Sequence, residues 1–423
     1  MSGPTPVGRR RVVVTGAGAV TPLGNDVETF WSGLVAGRCG IDTIASFDPS
    51  RLSSRMAGQV RDLDVSVVLD RKEAKRTDRF VHLTLVATRE ALERAGLPER
   101  AEGAAAEETG AIIASGMGGC GMLFEEIRTY VERGPARLSP FFIPMTIANM
   151  AAGHVSIAFG AQGPSYATVS ACASGGNAIG EAAETIRRGD AEVMIAGGTE
   201  APIVEGIVGG FAAMRALSTR NDDPAGASRP FDRGRDGFVI AEGAATLILE
   251  EAGHAVRRGA PILAELVGYG ATADASHVTL PAPGGSGARR AAARALQKAA
   301  LRPDEVDHVS AHATSTGEGD AAELVALRDL FGEAAPRVSI TASKGAIGHT
   351  LGAAGAIGTV AVLLAMRDGC VPPTINLTDP DPLAQGLDCT PLTARERRID
   401  VGLVSAFGFG GHNSALVLRR WDA

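Results

Sequence analysis

Short runs of Val, Ile and Ala recur along the chain, each followed by a longer Ala-rich stretch whose apolar residues fall three or four apart. R-V-V-V-T, G-A-I-I-A-S, A-E-V-M-I-A, A-T-L-I-L-E, V-D-H-V-S-A, R-V-S-I-T-A and S-A-L-V-L predict strands. V-H-L-T-L-V-A-T-R-E-A-L-E-R-A, N-A-I-G-E-A-A-E-T-I-R-R, A-R-R-A-A-A-R-A-L-Q-K-A and A-A-E-L-V-A-L-R-D-L-F predict helices. The strand runs are apolar throughout rather than alternating, as strands covered on both faces are, so the alternation predicts an α/β protein. The plan also runs twice. G-F-V-I-A-E-G-A-A-T-L-I-L-E-E ends near residue 251 and G-L-V-S-A-F-G-F-G-G-H-N-S-A-L-V-L ends near 418. Each is a pair of apolar runs around a Gly-rich turn, the pattern of a hairpin closing a half. With E-E-A-G-H-A-V-R-R-G-A-P as the junction, the predicted halves are residues 1–255 and 256–423.

Composition narrows the class. The 423 residues, 45% hydrophobic and 21% charged, suit a large globular core. Aromatics at 4% beside 54 glycines predict close packing of small residues. A net charge of −7 argues against nucleic acid as a partner. No run of 18 apolar residues appears and M-S-G-P-T-P-V-G-R-R lacks a signal-peptide core, so no membrane partner is expected. Cysteines at 39, 120, 172, 370 and 389 form no C-x-x-C and no metal-ligand spacing. The expectation is a reduced cytoplasmic enzyme without a metal.

Candidate chemistry begins at T-V-S-A-C-A-S-G-G-N-A-I-G-E-A, Thr168 to Ala182. Cys172 sits between β-prone S-Y-A-T-V-S and a helical run stopped by Gly189, so the helix dipole should favour its thiolate. On this segment alone a reactive cysteine and a packed one fit equally. R-V-V-V-T-G-A-G-A-V-T-P-L-G invites a dinucleotide reading, but position 21 is Thr rather than Gly and Pro22 interrupts the receiving helix. A structural turn fits better. His82, His254 and His308 read as structural, and His154 and His277 leave both readings open. His312 in S-A-H-A-T-S-T-G-E-G-D and His349 in S-K-G-A-I-G-H-T-L-G-A-A-G-A differ, because each falls at a strand-to-helix turn, as Cys172 does. In S-A-F-G-F-G-G-H-N, Phe409 between glycines can offer its N–H to a reacting oxygen while its ring acts as a lid.

Together these pieces resemble the β-ketoacyl-[acyl carrier protein] synthases of the thiolase-like condensing-enzyme superfamily, most closely the synthase II-like branch. The resemblance spans the chain and includes S-P-F-F-I-P-M-T-I-A-N-M-A-A-G-H-V-S-I, G-D-A-E-V-M-I-A-G-G-T-E-A, R-A-L-S-T-R-N-D-D-P, S-R-P-F-D and V-P-P-T-I-N-L. It implies a duplicated thiolase-like fold, five-layered αβαβα, and a decarboxylative Claisen condensation. It implies that Cys172 carries the acyl chain as a thioester. His312 and His349 would donate to the malonyl thioester oxygen, Lys344 would hold that region, and the N–H groups of Cys172 and Phe409 would form an oxyanion hole. Thr314 and Thr316 match the hydroxyls that bind the phosphopantetheine arm, with Thr279 along the same tunnel. Leu123, Phe142 and Phe211 are candidates for the acyl pocket, and Glu323 matches a further active-site acid. Lys72, Lys75 and Arg76, with Arg215, match a patch for docking the acidic carrier, although R-K-E-A-K-R also suits a solvated helix face.

No cofactor is implied beyond the phosphopantetheine carried by the acyl carrier protein. The segment around P-F-F-I-P-M-T would face a partner subunit. That partner is a second copy in fatty-acid elongation or a chain length factor in a type II polyketide or polyene system. A silent, chain-length-factor-like role is the non-enzymatic alternative, and the presence of Cys172, His312 and His349 argues against it. Three positions depart from the family pattern: Ala313 in H-A-T-S-T stands for Gly, Gly358 for an acid that pairs with Lys344, and His412 for Thr. Glu323 is the candidate to replace the missing acid.

Overall fold

The computed structural model describes residues 10–421. Its sheet contains β1 (Val12–Val20), β2 (Thr109–Ala114), β3 (Ser165–Tyr166), β4 (Val193–Glu200) and β5 (Gly243–Glu251) in the first half. The second half adds β6 (Ala264–Ala273), β7 (His308–Ser310), β8 (Ser339–Thr341), β9 (Val401–Gly408) and β10 (His412–Arg419). The strand order is β8-β7-β9-β10-β6-β1-β5-β4-β2-β3. Counted outward from the centre, both halves follow the same order: first strand, fifth, fourth, second, third. The halves join where β1 meets β6 antiparallel, Val13 opposite Glu265.

Five layers result. Helices α1 (Arg79–Arg94) and α2 (Met150–Phe159) cover the outer face of the first half. Helix α3 (Ser174–Arg188) lies between the halves, α4 (Ser286–Ala299) and α5 (Gly317–Phe331) cover the second, and α6 (Ala354–Asp368) joins α3 in the middle. The α6 helix and the turn before it form the one stretch apolar and long enough to cross a membrane among the described residues. It is buried almost throughout, which is why its sequence is apolar all round.

Glycine makes this layering possible. A Cβ on Gly16 would lie 2.1 Å from the Ala91 carbonyl oxygen of α1, and one on Gly18 would lie 1.9 Å from that of Ala87. The same contact recurs in the second half, where Gly268 and Gly270 of β6 meet the Ala295 and Ala291 carbonyls of α4 at 2.2 and 2.1 Å. The G-A-G run is therefore not the structural turn expected from the sequence. It is mid-strand, and it lacks side chains because a helix backbone rests on it.

Three further expectations change. Strand β6 went unpredicted because Gly268 and Gly270 break its apolar run. The stretch S-Y-A-T-V-S keeps only the edge pair Ser165–Tyr166 as strand. The first half closes with β4 and β5 antiparallel, yet residues 201–242 intervene, so this is no tight hairpin. F-V-I-A of that segment is not a β5 partner, since Ile240 bridges to His349 of the other half instead. That insertion supplies a wall of the site.

Candidate active site

Cys172 sits at a bent turn before α3. Ala171 takes φ +50°, a region costly for an L-residue, and the turn around it is held by Ser174. The Ser174 hydroxyl donates to the Ala171 carbonyl at 2.6 Å and accepts the Ser170 N–H at 2.8 Å. Asn177 adds a bond from its amide to the Ser170 hydroxyl at 2.7 Å, and the Tyr269 hydroxyl of β6 donates to Asn177 at 3.1 Å. Gly408 of β9 packs against this turn, where a Cβ would lie 2.9 Å from the Cys172 nitrogen. That approach brings the N–H groups of Cys172 and Phe409 to the sulfur, where both lower its pKa.

The resting sulfur is not the thiolate expected from its place before a helix. Burial pushes the Cys172 thiol up to about 12, the Glu200 carboxylate adds to the rise, and Lys344 and the two N–H groups oppose it without prevailing. Helix position alone misleads because desolvation outweighs a half-charge dipole. The resting sulfur is a thiol.

His312 and His349 face each other with ring centroids 5.3 Å apart, nearly perpendicular. Both line the cavity that contains Cys172. Burial, with Lys344 nearby, drives both well below the ordinary histidine range, so each imidazole is neutral. Their Nδ1 atoms are buried with no protein group in hydrogen-bond reach. A buried N–H without an acceptor costs more than a bare ring nitrogen, so the proton belongs on Nε2 and each ring can donate from there. The His349 N–H donates to the Val239 carbonyl at 2.7 Å, which ties its turn to the 201–242 insertion. His312 is fixed through its N–H, which donates to Glu323 at 2.8 Å, and the Ala313 N–H donates to the other Glu323 oxygen at 2.6 Å.

Lys344 lies buried behind the cavity wall rather than on it. Burial lowers its pKa while Glu323 and Cys172 raise it, and burial likewise raises Glu323. At Gly358, where the family pattern has an acid, a Cβ would already meet Ser310 Oγ at 3.1 Å and Val404 Cγ1 at 3.3 Å. Of the carboxylates around Lys344, Glu323 exerts the largest charge effect on it.

The cavity holds about 440 Å³. Aromatic rings run along it in sequence: Phe409 to Phe211 at 6.4 Å, Phe211 to Phe238 at 5.3 Å, and Phe238 to His349 at 5.3 Å. Thr314 and Thr316 line it with hydroxyls 3.1 Å apart, and Thr279 lines it as well. Glu323 reaches the wall as well. Leu123 and Phe142 do not line it. Both are half-buried, Leu123 on the helix Cys120–Arg133 and Phe142 at the start of Phe142–Thr146. Lys72, Lys75 and Arg76 converge with Arg71 and Phe141 on a separate surface groove, where the Arg76 guanidinium sits 4.7 Å over the Phe141 ring. Arg215 is not there; it stands exposed at the cavity mouth. Met117, Phe238, Phe407 and Glu200 also line the cavity. Sequence pattern does not single them out, because a lone apolar or acidic residue carries no local signature of facing a site.

A cysteine under two N–H donors, facing two neutral histidines where duplicated halves meet, defines a condensing enzyme of thiolase-like architecture. Residues 9–255 match the β-ketoacyl synthase N-terminal domain, and residues 263–378 match the C-terminal domain. The chain belongs to the β-ketoacyl synthase family. The 3-oxoacyl-[acyl-carrier-protein] synthase 2 of Synechocystis sp. is 47% identical over 414 residues, covering 98% of this chain and 99% of that one. Two solved structures cover 98% of the chain and 100% of their own. One is a type II polyketide synthase acyl-carrier protein in complex with its ketosynthase bound to the hexaketide, with TM-score 0.89 and 35% identity. The other is the ishigamide ketosynthase/chain length factor, with TM-score 0.90 and 30% identity.

Proposed function

We propose that the protein is a 3-oxoacyl-[acyl carrier protein] synthase extending fatty-acid-type chains. The convergence of Cys172, His312 and His349 on one cavity carries this reading. In the first half-reaction the Cys172 sulfur attacks an acyl-carrier thioester. The acyl group moves to the sulfur, and the thiol proton leaves on the carrier's phosphopantetheine thiol. The N–H groups of Cys172 and Phe409 hold the oxyanion, each such donor being worth about 3–4 kcal/mol. In the second, malonyl-carrier loses CO2, and the electron pair released becomes an enolate whose oxygen accepts from His312 and His349. The enolate carbon attacks the acyl thioester, and Cys172 leaves as a thiolate that then takes up a proton. Neutral rings suit this step, since an imidazolium would protonate the enolate before it could attack. Lys344 and Glu323 hold the two histidine turns and set their field, Thr314, Thr316 and Thr279 bind the carrier's arm, and Phe211 lines the acyl pocket with Phe409 as its gate. No further cofactor is needed.

The basic groove of Lys72, Lys75 and Arg76 docks the acidic carrier, with Arg215 meeting it at the tunnel mouth. The halves 1–255 and 256–423 act as one unit. A second subunit covers the first half's edge, where β3 has no neighbour beyond it in the sheet and Val131, Ile143, Ile157 and Val169 are exposed. Phe142 and Leu123, close to that face, serve the acyl pocket across the interface. A second copy of this chain is the favoured partner. A chain-length-factor partner is the second reading, supported by the likeness to ketosynthases of polyketide systems. The setting is cytoplasmic.

Mass spectrometry after mixing with acyl-carrier and then malonyl-carrier tests this. The expected outcome is an acyl mass on Cys172 and a 3-ketoacyl product from the protein alone, both abolished in Cys172→Ala. Product only with an added ketosynthase-like subunit would select the polyketide reading, and no acyl-enzyme in either setting would leave a silent subunit.

A further inference from the structure

Glu200, the last residue of β4, is fully buried at the cavity wall, and no step above uses it. Its Oε1 accepts from the Ser115 hydroxyl at 2.8 Å and the Met117 N–H at 3.0 Å. Its Oε2 accepts from the Gly116 N–H at 2.8 Å and the Gly352 N–H at 2.9 Å. Burial raises the Glu200 pKa and these four donors lower it; with each oxygen already accepting from a backbone N–H, the ionised carboxylate is the form that fits. The contact leaves no room for side chains: a Cβ on Gly116 would lie 2.7 Å from Oε2, and one on Gly352 would lie 2.5 Å from it. On its other side, the Gly352 carbonyl lies 2.8 Å from a Cβ built on Gly175 and 2.7 Å from one on Gly198.

Gly352 comes three residues after His349, and Gly175 three after Cys172. The Gly352 peptide is thus clamped between the nucleophile's helix and a buried carboxylate of the first half. We propose that Glu200 is a positioning residue for His349. It pins the turn Leu351–Ala353 to the first half and so fixes the imidazole relative to Cys172, while its bonds to Gly116 and Met117 link that setting to the cavity wall. The proposal rests on the ketosynthase reading.

Glu200→Gln keeps the size but turns an amide NH2 against N–H donors. Its two half-reactions should separate. Decarboxylation of malonyl-carrier, which uses His349, should fall roughly ten- to a hundredfold, the scale of a misplaced catalytic group. Loading of Cys172 from acyl-carrier should stay within about threefold of wild type, since it does not use His349. Removing the negative charge that raises the thiol's pKa works in the same direction. Gly352→Ala, which presses its Cβ onto Oε2, should give the same split and decides the matter where Glu200→Gln does not fold. A parallel fall in both half-reactions, or no fall in either, overturns the proposal alone. Wild-type protein that neither loads nor decarboxylates overturns the ketosynthase reading, and this proposal with it.

Discussion

Ala313 keeps a backbone that glycine would hold more easily. Its φ is +31°, it is fully buried, and its N–H is committed to Glu323. Strain at such an angle exceeds the entropy glycine would cost, so Ala313→Gly should stabilise the protein by about 0.5–1 kcal/mol. The midpoint of urea unfolding should rise at unchanged slope. The departure at Gly358 is of another kind, because Ser310 and Val404 crowd the place of a side chain and Glu323 is the carboxylate whose charge acts most on Lys344. Cys172, His312 and His349 could be read from the sequence because each is a reactive residue in a distinctive Gly-rich turn. Glu200 could not, since only the fold shows four donors converging on it.

Among elements, the paired glycines of β1 and β6 carry the packing. Gly270→Ala would put a Cβ 2.1 Å from the Ala291 carbonyl oxygen. Backbone cannot yield as a side chain can, so the expected loss is about 3 kcal/mol, read as a lower urea midpoint. Gly210, in the helix Glu205–Ala213, has nothing within 4 Å of its Cβ position. Gly210→Ala should instead gain about 0.5–1 kcal/mol from helix propensity. The two glycines look alike in sequence and differ entirely in what rests on them. The same contact hid β6, since the glycines that admit α4 also erase the strand's apolar run.

At the scale of the whole molecule, buried histidines set the acid limit of stability. Burial holds His308 at about 4, with its Nδ1 against the Ser339 carbonyl, and burial with Lys344 nearby holds His312 and His349 well below the ordinary histidine range. Each binds its proton more readily in the unfolded chain, so stability is intact above about pH 6.5 and lost as pH falls toward 4. For His308 the full loss is on the order of 3 kcal/mol. Asp320 and Glu323 work the other way. Burial lifts them to about 6 and about 7, so each gains a proton in the native state as pH falls below its value, and together they recover part of the loss. Melting temperature should therefore drop between pH 6.5 and 4, and His308→Gln should make that drop shallower.

The sequence by itself determined the α/β alternation, helices within residues 81–95, 177–188, 288–299 and 321–331, and the family with its cysteine and two histidines. Those signals are local: periodicity over one element, or a motif within one turn. Tertiary structure alone decided that Cys172 rests as a thiol and that Glu200 ties the His349 turn to the first half. It also decided that the early G-A-G run is a packing surface. Each of these depends on burial or on backbone brought together from distant parts of the chain, and neither is written in the spacing of residues along it.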